Sequence, residues 1–267
     1  MMRRFLLAVF ITGLFLLLSC SCGSSGSGSS GRFPALNSST AKPEIDSSRV
    51  PETLELYRAK RYESISEALS AGADQVQKLV LYGRELESLP ADIRKLKYLA
   101  SLDVANNKLN ELPEEIADLH YLQGFYANGN MLREYPRQLL LLPILEKVDL
   151  SVNKIHEIPP EISLMKQLTR LSINHNFLLE IPVEIYELNA LTVLELGSNG
   201  LREIPRGISN LNALKKLDLS RNQISTLPRE ITTLSETLTD LNIQGNQISR
   251  EEIDWLMEAM PKTNIRF

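Results

Sequence analysis

Cysteine is almost missing: the chain has two, Cys20 and Cys22, both within its first 22 residues. Whatever folds beyond them does so without a disulfide, a thiol nucleophile or a cysteine-bound metal. Histidine is also scarce, with only His120, His156 and His175. They are far apart, show no zinc spacing and belong to no Ser–His–Asp grouping, so the chain is read as non-catalytic, with no metal and no cofactor. There is no basic block, and a formal charge of −4 argues against nucleic acid. The Gly23–Gly31 stretch, GSSGSGSSG, has no lysine in phosphate-loop spacing and no strand before it, so it is read as linker. Apolar runs are short as well. The longest, Phe5 to Leu18, is too short to span a bilayer comfortably.

What is present is repetition. Residues 145–167 read LEKVDLSVNKIHEIPPEISLMKQ, and Leu168 begins the same pattern again. Starts at Val76, Leu99, Leu122, Leu145, Leu168, Leu191 and Leu214 keep one register, and an incomplete eighth copy starts at Leu238, one residue late. Within a copy, alternate apolar residues put one face of a short strand inward. An asparagine then turns the chain, and Ile-Pro opens a return segment because proline cannot donate to a ladder. One copy has too little apolar surface to fold alone, so neighbours must stack and share a core. The pattern L-x-x-L-x-L-x-x-N-x-L resembles the leucine-rich-repeat signature. The resemblance implies an α/β repeat solenoid, a horseshoe with a parallel concave β-sheet. The asparagine column is Asn107, Asn130, Asn153, Asn176, Asn199, Asn222 and Asn246, expected to satisfy turn backbones as a buried ladder. Arg84 takes that slot in the first copy, which should therefore be terminal and face a cap.

The segments outside the repeats have their own signatures. Arg3 and Arg4, the apolar run and a small-residue stretch have the layout of a secretory leader over residues 1–19. Leu17-Leu18-Ser19-Cys20 resembles the bacterial lipobox, which implies cleavage before Cys20 and lipidation there; Cys22 is the weaker alternative. Loss of Arg3 and Arg4 leaves 27 basic against 33 acidic residues, a charge of −6. Residues 20–48 read as a Ser/Gly-rich tether. Residues 49–75 read as a helical N-terminal cap, with Leu54, Tyr57, Tyr62, Ile65, Ala68 and Leu69 as its apolar stripes. The repeats fill 76–248. Residues 249–267 read as a C-terminal cap: a capping box at Ser249–Glu252, a helix through Trp255 and Met260, and a last strand at Ile265 and Phe267. The whole resembles bacterial leucine-rich-repeat lipoproteins whose coils carry L-P-x-x-I.

Function has to come from surface columns, since a repeat does not name its partner. On the concave face, position five carries Asp103, Tyr126, Asp149, Glu195 and Asp218, with Lys147, Arg170 and Lys216 at position three. These, with Tyr82 and His175, are the candidate partner-binding residues for a protein or peptide ligand. The alternative is that Lys147–Asp149 and Lys216–Asp218 only neutralise one another. Glu111, Glu134, Glu157, Glu180 and Glu203 form an acidic column, read as a solvated face. Leu140, Leu141 and Leu164 are expected to be exposed and offer a self-association surface on an otherwise monomeric protein. The resulting expectation is a non-catalytic protein-binding molecule in the bacterial cell envelope, touching membrane only through its N-terminal lipid. The outer membrane or cell surface is preferred over the inner membrane. The alternatives are an envelope scaffold, or a cytoplasmic one if the leader is unused.

Overall fold

Each coil turns the 23-residue pattern into one strand, one turn and one tight helical return. The computed structural model describes residues 43–267, so the leader, Cys20 and most of the expected tether lie outside the described residues. Ten short strands form a single parallel sheet in chain order. They are β1 (Arg61–Tyr62), β2 (Lys78–Val80), β3 (Ser101–Asp103), β4 (Gly124–Tyr126), β5 (Lys147–Asp149), β6 (Arg170–Ser172), β7 (Val193–Glu195), β8 (Lys216–Asp218), β9 (Asp240–Asn242) and β10 (Asn264–Arg266). Equivalent residues pair across coils, as in Val148 with Leu171 and Leu171 with Leu194. The middle residue of each repeat strand faces in: Leu79, Leu102, Phe125, Val148, Leu171, Leu194, Leu217 and Leu241 are all buried. The returns are 3-10 turns such as Pro160–Leu164, entered from a proline and burying at least one isoleucine or leucine each. One continuous apolar cluster runs through all coils, as stacking of units that cannot fold alone requires.

The asparagines form the expected ladder, with a direction that spacing alone did not reveal. Asn153 Nδ2 donates to Leu150 O in its own coil (2.9 Å) and to Ala127 O in the coil before (2.9 Å). Its Oδ1 accepts from Leu132 N, also in the coil before (3.0 Å). Asn107 does the same for the first coil, accepting from Arg84 N and Leu86 N at 3.0 Å each. Each amide thus serves the coil behind it. The first coil has no asparagine of its own because no repeat stands behind it to be served. Arg84 instead turns outward and pairs with Glu63 of the N-terminal cap.

The ends differ from expectation in detail. The N-terminal cap is not purely helical: α1 (Thr53–Arg58) and α2 (Ile65–Ser70) flank β1, which extends the sheet. Tyr62 and Ala68 are buried, whereas Leu54 and Tyr57 are 59% and 76% exposed and join no core. Residues 46–48, expected in the tether, pack against the repeats. Asp46 N donates to the Tyr121 hydroxyl (3.0 Å), and Arg49 lies over the Tyr98 ring (4.4 Å). At the other end α3 (Arg250–Ala259) starts at Ser249, whose hydroxyl accepts from Glu252 N, and β10 closes the sheet. Arg229 covers Trp255 at 3.6 Å.

Leu140 is also corrected. It is only 5% exposed, tucked into the return turn, while Leu141 and Leu164 remain half exposed at 45% and 49%. In a turn of three residues per repeat, one member of Leu139–Leu142 must face out, and it is Leu141. Among the described residues no helix is long and apolar enough to cross a membrane.

Candidate functional site

The parallel strands bring the candidate residues together on one face, because positions three, five and seven share a side. Tyr82, Asp103, Tyr126, Lys147, Asp149, Arg170, Glu195, Lys216 and Asp218 all lie there, outside the buried middle residues of their strands. His175 does not. It stands at position eight, past the strand, in the left-handed region with φ +53. That region recurs at the same position in every coil, at Gly83, Asn106, Gly129, Val152, Ser198, Arg221 and Gly245. It turns position eight away from the sheet and onto the flank formed by the asparagine turns.

The acidic side chains of the groove are held in place. Asp103, Asp149 and Asp218 each accept from the backbone two residues on, at 3.0, 2.9 and 2.9 Å. Glu195 accepts from the Ser172 hydroxyl. Each carboxylate so fixed keeps lone pairs for another partner. The alternative of mutual neutralisation finds no ion pair to support it: among the described residues, Lys147, Arg170 and Lys216 make none with Asp149, Glu195 or Asp218.

Tyr126 is the aromatic centre of the face. Its ring leans over Gly124, where a Cβ would lie 3.0 Å from the hydroxyl. This explains a glycine where the neighbouring coils carry Ser101 and Lys147. Burial raises the Tyr126 pKa above the usual phenol range, Asp103 and Asp149 add to the rise, and Arg170 opposes it. The hydroxyl is therefore a neutral donor throughout the physiological range. Tyr82, 55% exposed, accepts from Asn106 Nδ2 at 2.6 Å. Gly197 leaves a notch in the floor: a Cβ there would meet Ser220 Oγ at 2.8 Å. The face is thus a shallow groove with a fixed acidic row, a basic row that is not paired to it, and one tyrosine lying flat.

His120 stands beside Tyr121 on the cap side, while His156 and His175 are on the turn flank. Among the described residues no group of three or more His, Cys, Asp or Glu is placed to hold a metal. Glu111, Glu134, Glu157, Glu180 and Glu203 are all exposed. The sequence reading missed the apolar residues of the turn flank. Val152, Phe177 and Leu179 are 53%, 55% and 70% exposed. Their only signal was an apolar residue at positions eight, ten and twelve, where the repeat otherwise places, apart from Met131, glycine, polar or charged ones.

The geometry defines a leucine-rich-repeat solenoid. A leucine-rich-repeat family model matches residues 143–201 and 189–248. Among solved structures, the chain is similar to a leucine-rich-repeat protein of Leptospira interrogans, at 29% identity and TM-score 0.66, over 78% of this chain and 58% of that one. It is similar to an internalin of Listeria monocytogenes, at 25% identity and TM-score 0.58, over 67% of this chain and 50% of that one. A third similarity is to the ectodomain of an Arabidopsis thaliana receptor kinase, solved with CASPARIAN STRIP INTEGRITY FACTOR 2. There the identity is 30% and the TM-score 0.57, over 64% of this chain and 22% of that one. The chain therefore spans a little over half of the Leptospira protein and less of the others. No curated protein matches it in sequence.

Proposed function

We propose that this is a lipid-anchored, extracytoplasmic protein of the bacterial envelope that binds another protein through its concave face. The observation that carries the reading is the uncommitted charge of the groove. Lys147, Arg170 and Lys216 stand beside fixed carboxylates without pairing to them, so a partner meets them without first breaking internal bonds. Extended concave surfaces of this kind are what solenoids use for recognition, and the receptor ectodomain above was solved with a ligand in complex. Tyr126 and Arg170 are of the residue types that anchor interfaces. Catalysis is no part of the reading.

The anchor is the lipid on Cys20, with the tether holding the domain off the outer membrane or cell surface. Incorporation of labelled palmitate should disappear in Cys20→Ser, and protease applied to intact cells should remove the domain; incorporation that persists in the variant would contradict the anchor. For the face itself, a crosslinking pull-down with residues 42–267 should capture a partner that the charge-reversed groove, Arg170→Glu with Asp149→Lys, does not. Equal capture by both would contradict it.

A further inference from the structure

The flank built by the asparagine turns holds a second surface, independent of the concave face. Beyond the strand of each coil after the first, the ninth and eleventh positions face in, as Asn153 and Ile155 do, and the eighth, tenth and twelfth face out. In coils 4 and 5 (residues 145–190) the outward positions are Val152, Lys154, His156, His175, Phe177 and Leu179. His156 stacks on Phe177, with ring centroids 5.4 Å apart and planes at 25°. Leu179 lies over Gly200, where a Cβ would come within 2.9 Å of its Cδ2. The three large apolar side chains are each more than half exposed. Exposed apolar side chains gathered on two adjacent coils are of the kind that marks contact sites.

Val152 is unfavourable a second way. It is β-branched and sits at φ +56, a region such residues rarely enter. Gly129 and Gly245 make the same turn without that strain. Neither the exposure nor the strain serves the coil.

The border of the ridge indicates what covers it. Glu134, Glu157, Glu180 and Glu203 run along the next position, all exposed, and among the described residues none is in an ion pair. On the flank of coils 4 and 5, Lys154 is the one cation against Glu157 and Glu180. Arg133 and Arg202 belong to the coils on either side. We propose that the ridge docks a polypeptide segment of a partner, with apolar side chains covering Phe177 and Leu179 and Lys or Arg reaching the glutamate row. A second copy of this chain fits poorly, since a two-fold contact would present the same acidic border from both sides. An anionic lipid surface is repelled by that border.

The test is selection of displayed random peptides on residues 42–267, which form one compact unit with its own core. Enriched peptides should combine an apolar pair with Lys or Arg. Their affinity should fall about tenfold or more on Phe177→Ser with Leu179→Ser, the range for losing interface anchors. It should fall, and lose its salt dependence, on Glu157→Lys with Glu180→Lys. Arg170→Glu with Asp149→Lys should leave it unchanged. Enrichment of acidic peptides would overturn the proposal. So would binding indifferent to both ridge variants, or a dimer in sedimentation that Phe177→Ser with Leu179→Ser abolishes.

Discussion

The concave sheet and the turn flank are cut from the same coils, yet they meet solvent differently. On the sheet, outward side chains are charged, and the carboxylates are fixed by the backbone beneath them. On the flank of coils 4 and 5 three of the six outward side chains, Val152, Phe177 and Leu179, are apolar, and Val152 strains the backbone it sits on. Between the two lies an inward wall of leucines and asparagines that barely changes from coil to coil. The difference teaches that this chain keeps stability and surface on separate positions. A substitution can therefore disturb one and leave the other alone.

The largest way to break that division is from inside. Leu171 is fully buried in β6, so Leu171→Ala should cost roughly 2–5 kcal/mol, the range for a core cavity. Denaturant melts would show it as a lowered midpoint. Asn153→Ala comes next at roughly 1–3 kcal/mol, because Ala127 O, Leu150 O and Leu132 N lose their side-chain partner. A loss within noise would count against the ladder. Val152→Gly should go the other way and stabilise by about 1 kcal/mol, the scale of left-handed strain in an L-residue; a lower midpoint would mean that Val152 supports its turn. Smallest is the ridge itself. Phe177→Ser with Leu179→Ser should shift stability within about 0.5 kcal/mol, as exposed substitutions do.

Much of the inward wall was legible in the sequence, because a fixed 23-residue period states both register and direction. The asparagine column, the terminal status of the first coil and the grouping of Asp103, Tyr126, Asp149, Arg170 and Asp218 all followed from that period. Two of the misses share a cause. Leu139–Leu142 and Phe177–Leu179 are unbroken apolar runs, in which hydropathy cannot say which member faces out. Leu140 was read outward and proved buried, while Phe177 and Leu179 were passed over and proved exposed. The packing of Asp46 and Arg49 on Tyr121 and Tyr98 joins residues far apart in the chain with no repeat to predict it. β1 is two residues long and carries no alternating pattern. The left-handed column was hidden because its occupants range from glycine to valine and histidine.

The division of labour between wall and surface is tested most directly on the groove. The measurement is equilibrium binding of the captured partner to residues 42–267 and to Arg170→Glu with Asp149→Lys, each alongside its own urea midpoint. The expected result is binding weakened by tenfold or more, about 1.4 kcal/mol or above, with the midpoint nearly unmoved. Unchanged affinity, or a midpoint that falls in step with affinity, would contradict it.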